Sequence, residues 1–294
     1  IDHTISKLRK MHLSIPCLTT GCVLKYADNW EPIRQEIFEY IDLAQKIGAP
    51  YIRLLGDRDT QSEGEVDDGI VLQHLKDVIP YAEKAGVVLL IETNGVYADT
   101  RRLRDLLIKA ESDTVAALWD MHHPSRFMNE SPETTVQNLG VYIKHVHTKD
   151  SKWEDGKVVY KMMGEGDMPI TDMVNALKSV NYEGFISLEW VKAYMPELMS
   201  AGIVFPHYAN YMQQFLSTEA GGYRLQDNLR KTGKYIWPKE TLLDLTFPQI
   251  LDRICDEFPE QYAFRYTTLP SYGIRVFCVS SRWSIRLIFS AKLS

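Results

Sequence analysis

The chain has 294 residues, of which 45% are hydrophobic and 24% are charged, and its formal net charge is −6. This length suits one large α/β domain with an appendage, and the balance is typical of globular proteins. The absence of a long basic run argues against nucleic acid as a partner, and the absence of a long uncharged apolar stretch argues against a membrane-spanning helix. Four cysteines without a close pair favour the cytoplasm over a disulfide-forming compartment.

Short apolar runs alternate with segments of helical periodicity along the first two thirds of the chain. Strands are predicted at 14–18, 51–55, 87–91, 115–119, 142–146 and 184–188. Helices are predicted between them, several with capping residues such as Asp99, Ser131 and Thr171. Six βα units in strict alternation predict a parallel α/β fold. A closed (β/α)8 TIM barrel needs eight strands, so we expect its first two units to lie before residue 1.

The character of the chain changes after the last predicted strand. Residues 1–218 are interpreted as the partial barrel, whose last part, 195–218, forms a helical or irregular arm. Residues 219–240 are polar, contain two adjacent glycines and predict a linker. The remaining segment, 241–294, is expected to be separate. Its end, 270–294, has basic but no acidic residues and no clear periodicity, which favours a non-native sequence there.

Four predicted strands end directly before a residue type that binds metal ions. These residues are Glu92, Asp120, His147 and Glu189. Parallel strands with helical crossovers bring their carboxyl ends to one edge, so we expect the four side chains to converge. Carboxylates with one imidazole favour Mn²⁺, Mg²⁺, Co²⁺ or Fe²⁺ over thiolate-bound zinc. Each residue alone could instead cap a helix or form an ion pair, but the shared placement favours a site.

The same residues indicate a reaction class. A divalent ion there would polarise a substrate carbonyl and stabilise an enediolate. Glu92 and Glu189 lie on different strands and could flank the reacting carbon as base and acid. The pattern therefore predicts isomerisation or epimerisation next to a carbonyl group.

Two histidine pairs lie close to the predicted ligands. His123 follows Asp120 by three residues and could be an extra ligand or a substrate contact, although His122 could be the inward residue instead, and either could only cap a turn. His145 and His147 point the same way because they alternate along one strand. We expect His145 to lie one layer deeper, as a hydrogen-bonded core residue.

Other candidates for substrate contacts are less specific. Arg53, near a strand end, could hold an anionic substrate or form an exposed salt bridge. Lys149, together with Asp150, could orient His147 or form a solvated loop pair. The glycine-rich loop 164–167 could bind phosphate through backbone amides or make a tight turn. Trp190, directly after Glu189, is expected to line the pocket.

The motifs Asp120-x-x-His123, His147-Thr148-Lys149-Asp150 and Gly164-Glu165-Gly166 carry a resemblance. Together with the strand-end residues they resemble the xylose isomerase-like TIM-barrel family over roughly residues 5–195, and within it sugar-phosphate 3-epimerases most of all. The resemblance implies that the four strand-end residues bind one divalent metal, commonly Mn²⁺ although Zn²⁺ is also compatible. It implies that the two glutamates transfer the proton and that His123 contacts the substrate.

The expected function is thus a metal-dependent isomerase or epimerase of a sugar or sugar phosphate, with a small carbohydrate as its partner. A dehydratase of a keto-polyol, similar to inosose dehydratase, is the nearest alternative. A third alternative is an inactive barrel fused to an acyl-CoA synthetase, because Tyr235-Ile236-Trp237-Pro238 and the segment 246–251 resemble the opening of such synthetases. Copies of the chain are expected to associate if apolar faces are left around a missing barrel sector.

Overall fold

A computed structural model of the chain describes residues 1–11, 13–61, 64–216, 267–268 and 275–276. Among these, residues 1–198 form one compact unit, and the described residues from Met199 onward belong to a second. The site lies in the first unit. The predicted linker at 219–240 and the synthetase-like segment lie outside the described residues, apart from two strand fragments, Thr267–Thr268 and Arg275–Val276.

Helices and strands alternate through the first unit, as the sequence predicts. The strands are β1 Cys17–Val23, β2 Tyr51–Leu55, β3 Val88–Glu92, β4 Val115–Asp120, β5 Ile143–Thr148, β6 Asp150–Glu154, β7 Lys157–Lys161 and β8 Ile186–Leu188. The helices are α1 Asp2–Lys10, α2 Trp30–Ile47, α3 Asp68–Ala85, α4 Thr100–Ala110, α5 His122–Met128, α6 Pro132–Leu139 and α7 Ile170–Ser179. In the second unit, α8 spans Ala201–Leu216. Short 3-10 helices cover Gly95–Ala98 and Gly140–Tyr142.

Six strands form one parallel sheet in the order β1-β2-β3-β4-β5-β8. Within the described residues β1 and β8 are its two edges, so the sheet is part of the eight-stranded barrel that this connectivity builds. The six predicted βα units and the TIM-barrel type are thereby confirmed. The prediction that two further units precede residue 1 stays a prediction.

Local sequence explains where the helices begin and end. Asp99 caps α4 by accepting hydrogen bonds from the amides of Arg101 and Arg102, and Ser131 caps α6 through the amide of Thr134. The predicted cap at Thr171 is wrong, because α7 already begins at Ile170. The residue before this helix, Pro169, makes no capping hydrogen bond with its side chain. Gly48 ends α2 with a left-handed backbone (φ 76°), which a residue without Cβ adopts at little cost.

One face of the sheet carries both the core and the site. Leu90, Ala116 and Leu118 pack together with Cys17 in a buried cluster. Side chains two residues apart share a face, so Glu92 follows Leu90 and Asp120 follows Leu118 on this same side. The polar residues therefore sit at the carboxyl end of an apolar layer that holds their backbones in place.

A hairpin and a helix close to the site are absent from the sequence-based prediction. Residues Asp150–Lys161 form an antiparallel hairpin, β6 with β7, directly after β5. Helix α5 begins at His122, immediately after β4. Both additions are at the carboxyl end of the sheet and so surround the predicted site. None of the helices in the described part of the chain has the length and apolar character that crossing a membrane requires.

Candidate metal centre

Strand register brings the predicted ligands together. Asp120 and His147 are direct partners in the β4–β5 pairing, and Glu92 pairs with Leu118, two residues before Asp120. Glu189 follows β8, and its amide donates to the carbonyl of Thr148, one residue after His147. Four side chains from four strands thus meet at the carboxyl end of the sheet.

The four residues form a compact donor set. Each offers one ligand atom, and these atoms all lie within 4.8 Å of one another. Glu92, Asp120 and His147 are buried, whereas the side chain of Glu189 is 24% exposed. Three carboxylates and one imidazole match the oxygen and nitrogen ligands that Mn²⁺, Mg²⁺ or Zn²⁺ accepts. The residues therefore fit one divalent ion that is open to solvent on the Glu189 side.

Glu92 and His147 are hydrogen-bonded to each other. His147 Nδ1 is 3.1 Å from Glu92 Oε1 and 3.8 Å from Glu189 Oε1. Burial alone would raise the pKa of Glu92, but the Arg53 guanidinium and His147 lower this pKa to about 2. Burial likewise acts to lower the pKa of His147, but the neighbouring glutamates raise it overall. The contact between Glu92 and His147 thus favours the ionised carboxylate of Glu92.

Arg53 lies in the middle of β2, not near its end as the sequence was interpreted. Its Nε is 3.3 Å from Glu92 Oε2, and its side chain is only 10% exposed. Because this nitrogen makes no aligned hydrogen bond, the interaction is an ion pair. The alternative of an exposed salt bridge is wrong: Arg53 is a buried counter-ion beneath Glu92.

Asp120 and Glu189 share one buried ammonium group. Lys149 Nζ donates to Asp120 Oδ2 and, at 2.5 Å, to Glu189 Oε2, and its side chain is 1% exposed. Burial would raise the pKa of Glu189, yet the charges of Lys149 and His147 hold this pKa well below its usual range. Burial would lower the pKa of Lys149, but the two carboxylates raise it. The alternative of a solvated Lys149–Asp150 loop pair is therefore wrong.

The ends of β3 and β4 are tied together by Thr93. Its hydroxyl donates to the carbonyl of Asp120 at 3.1 Å and accepts from the amide of Asp120 at 2.9 Å. Its own carbonyl lies 3.0 Å from His123 Nδ1. One threonine thus positions both Asp120 and His123.

His122 and His123 both lie inside the protein, where α5 begins. Asp120 Oδ1 accepts from the amide of His122, and His122 Nε2 is 2.8 Å from Ser151 Oγ. His123 Nε2 is buried without a hydrogen bond and is 3.7 Å from Asp120 Oδ2. Burial lowers the pKa of both imidazoles, which favours their neutral forms. Asp120, His122 and His123 also qualify as a group of three ligand atoms within 4.8 Å.

His145 lies one layer below His147, as expected. Its Nε2 is 2.8 Å from the hydroxyl of Ser187 on β8, and the residue is 1% exposed. Burial, together with the charge of His147, lowers the pKa of His145 to about 3. His145 is thus a neutral, hydrogen-bonded core residue.

Asp150 anchors the glycine-rich loop. Its carboxylate accepts hydrogen bonds from the amides of Ser151, Gly164, Gly166 and Met168. A Cβ on Gly166 would lie 1.7 Å from Asp150 Oδ1, so glycine is required there. The amides that could have held a phosphate are already occupied, and the tight turn is the correct alternative.

Tyr160 is a neighbour of the site that sequence reasoning missed. It is half-buried on β7, opposite Ser151, and its ring centroid is 5.7 Å from that of His122. Burial raises the pKa of its phenol, with Lys149 opposing and Asp120 and Glu189 adding to the rise. A tyrosine twelve residues beyond β5 gives no sequence signal, since only the hairpin turn returns it to the site.

The remaining predicted contact is Trp190. It follows Glu189 directly and is half-buried, and its role at the pocket stays a prediction. Trp119 is 1% exposed and belongs to the core, whereas Trp153 on the hairpin is 49% exposed. Among the residues predicted for the site, the structure therefore brings together Glu92, Asp120, His147, Glu189, His123, Lys149 and Arg53.

Comparison with known proteins identifies the fold family. A family model described as xylose isomerase-like TIM barrel matches residues 4–203, more than half of the chain. The chain belongs to this family. Fructoselysine 3-epimerase of Escherichia coli O157:H7 is 24% identical over 135 residues, which cover 44% of this chain and 48% of that protein. The chain spans less than half the length of the curated relatives that it matches.

Solved structures of other proteins share the fold at low identity. An L-ribulose 3-epimerase superposes with a TM-score of 0.60 at 13% identity, covering 80% of this chain and 84% of that one. The IOLI protein with a bound zinc atom superposes with a TM-score of 0.59 at 17% identity, covering 74% and 82%. At these identities the likeness establishes the barrel fold and not the reaction.

Proposed function

We propose that this chain is a divalent-metal-dependent isomerase or epimerase that acts on a sugar or sugar phosphate. The observation that carries the proposal is the convergence of Glu92, Asp120, His147 and Glu189 within 4.8 Å. We assign these four residues as ligands of one ion, with Mn²⁺ as the preferred metal. The donor set and the zinc bound by a structural relative support a divalent ion; the choice of manganese is a prediction.

When bound, the ion would polarise the substrate carbonyl and stabilise the negative charge of an enediolate. Glu92 and Glu189 would transfer the proton at the carbon next to that carbonyl. Both carboxyl groups have lowered pKa values despite burial, which favours the carboxylate form that a base needs. The glutamate that takes the proton becomes a carboxylic acid, and a proton is then returned to the enediolate by one of the two glutamates. They come from strands that are not neighbours in the sheet, β3 and β8, which suits groups on opposite sides of a substrate.

The surrounding residues would bind and orient the substrate. His123 Nε2 is buried, unpaired and directed toward Asp120, so it is free to bond a substrate oxygen. We also assign substrate contacts to Lys149, Arg53 and Trp190. The first two side chains are at the same time the counter-ions of the proposed ligands. A cytoplasmic location and a small carbohydrate partner complete the proposal.

The test is proton exchange on a panel of ketoses, ketose phosphates and fructosamine adducts in deuterated water with Mn²⁺. We expect deuterium to enter the product next to the carbonyl without a change in elemental composition, as an isomerase or epimerase requires. Glu92→Gln and Glu189→Gln should each reduce the rate by at least about 100-fold, because the positioned base is lost. Glu165→Gln, which changes an exposed glutamate on the nearby loop, should leave the rate unchanged.

Two results would contradict the proposal. A product that has lost water would identify a dehydratase, which begins with the same proton abstraction. A folded, metal-loaded chain that exchanges no proton on any member of the panel would favour an inactive barrel module. The synthetase-like segment and the missing barrel units remain predictions.

A further inference from the structure

Lys149 places a positive charge inside the candidate metal centre. Its ammonium donates to Asp120 and to Glu189, two of the four proposed ligands. The group is 1% exposed, so water screens its charge very little. Glu92 and His147, the other two ligands, bond each other instead. One residue that is not itself a metal ligand thus contacts half of the ligand set.

Counting charges shows what this contact does to a bound cation. Glu92, Asp120 and Glu189 supply three negative charges when ionised, and Arg53 and Lys149 supply two positive ones. A divalent ion held by a neutral His147 would leave the group with one net positive charge. Without Lys149 the same group would be neutral. Because buried like charges a few ångströms apart repel strongly, Lys149 opposes the ion that its carboxylate partners attract.

The backbone next to Lys149 is also held in place. Lys149 lies between β5 and β6, and Asp150, the next residue, is fixed by four backbone amides. The backbone that carries the ammonium is therefore held at the site. The side chain starts from this anchored backbone and places its ammonium between the two carboxylates.

We propose that Lys149 is a positioning residue that lowers the affinity of this centre for divalent ions, so that the ion exchanges with the free pool instead of being held permanently. The inference rests on the proposed metal centre and adds regulation to it: occupancy would follow the concentration of free metal. The ligands fix where the ion binds, and Lys149 fixes how tightly.

The test is isothermal titration of the whole chain with Mn²⁺, comparing the wild type with Lys149→Met and Lys149→Gln. Methionine has a similar length and no charge, and glutamine keeps hydrogen-bonding groups in case methionine does not fold. We expect each folded variant to bind Mn²⁺ at least about tenfold more tightly, a change of about 1.4 kcal/mol. Lys144→Met removes an exposed lysine from the preceding strand, β5, and should leave the affinity unchanged.

A second measurement, the melting temperature, separates the effect of the Lys149 charge on metal binding from its effect on the stability of the protein. In the presence of a chelator the Lys149 variants should melt at a lower temperature than the wild type, because buried carboxylates lose their counter-ion. Addition of Mn²⁺ should then raise their melting temperature by more than it raises that of the wild type.

The results of the Mn²⁺ titration distinguish the proposed role of Lys149 from the proposed metal centre. Tighter binding of Mn²⁺ by the variants than by the wild type supports the role of Lys149. Binding that is measurable only in the variants supports it as well. Equal or weaker binding in a folded variant, beside a wild type that binds Mn²⁺, overturns this role and leaves the metal centre intact. No binding by the wild type or by either variant overturns the metal centre itself and, with it, this inference.

Discussion

At the scale of single residues, the site depends on hydrogen bonds that hold charged side chains in fixed directions. Thr93 is the clearest case, because its hydroxyl both donates to and accepts from the backbone of Asp120. A buried amide without a partner costs more than an average hydrogen bond contributes. The geometry of Asp120 is thus maintained by a residue that has no charge of its own.

Replacing Thr93 with valine keeps the shape of the side chain and removes its hydroxyl. We expect Thr93→Val to lower the free energy of unfolding by about 1–3 kcal/mol, since the amide of Asp120 would stay buried and unpaired. Urea denaturation followed by circular dichroism measures this change. Thr171→Val, at an exposed helix position, should stay within about 0.5 kcal/mol of the wild type. Equal effects of the two substitutions would refute the role of Thr93.

At the scale of elements, the hairpin β6–β7 and the loop after it form one connected wall beside the site. Asp150 begins the hairpin and accepts from the amides of Gly164, Gly166 and Met168 in the loop. Arg126 on α5 adds hydrogen bonds to the carbonyl of Ser151 and to the carboxylate of Asp167. The wall is therefore held on one side by Asp150 and on the other by Arg126, both of them buried or half-buried, while Asp167 is exposed.

Gly166→Ala should detach the loop from Asp150 and so destabilise this wall. Its Cβ would overlap the Asp150 carboxylate and lie 2.6 Å from the carbonyl of Ser151, so the loop must move. We expect Gly166→Ala to cost at least about 2 kcal/mol in stability and to speed limited proteolysis in the loop. Gly21→Ala is the matched control, because nothing lies within 4 Å of the added Cβ. Proteolysis of Gly166→Ala at the wild-type rate would show that the loop does not need the Asp150 anchor.

At the scale of the whole molecule, buried neutral histidines link stability to pH. Burial lowers the pKa of His122, His123 and His145, the last to about 3, whereas an unfolded histidine titrates near about 6.5. Below that pH the unfolded chain binds protons that the folded chain excludes. The contribution of these histidines is thus fully present above about pH 6.5 and is lost as the pH falls toward 3.

We therefore expect the free energy of unfolding, measured by urea denaturation with a chelator present, to fall steadily as the pH is lowered from about 7 to about 5. Each histidine contributes a slope of up to about 1.4 kcal/mol per pH unit. The raised pKa of His147 acts in the opposite direction, but only above about pH 6.5, because below that pH both the folded and the unfolded state carry its proton. His145→Gln should flatten the curve relative to the wild type. A stability that is constant over this range would contradict the assignment of neutral core histidines.

The sequence was sufficient for the scaffold and for the convergence of the four proposed ligands. Strand ends are visible because apolar runs stop at a polar residue, and parallel connectivity then forces Glu92, Asp120, His147 and Glu189 to one edge. The counter-ions were not predictable in the same way. Arg53 and Lys149 each have a local sequence that also suits an exposed salt bridge, and only carboxylates from other strands explain their burial. The hairpin was missed because its first strand, β6, begins only two positions after the last residue of β5, so the sequence shows no break between the two strands.

The central claim is that four strand ends assemble one metal centre, and the most direct measurement is the metal content of the purified chain. Mass spectrometry after equilibrium dialysis against excess Mn²⁺, with the free metal subtracted, should find about one equivalent in the wild type, as one four-ligand site requires. His147→Ala should lose it, and His3→Ala, which changes an exposed histidine, should retain it. A folded chain without bound metal, or a His147→Ala variant that keeps a full equivalent, would contradict the account.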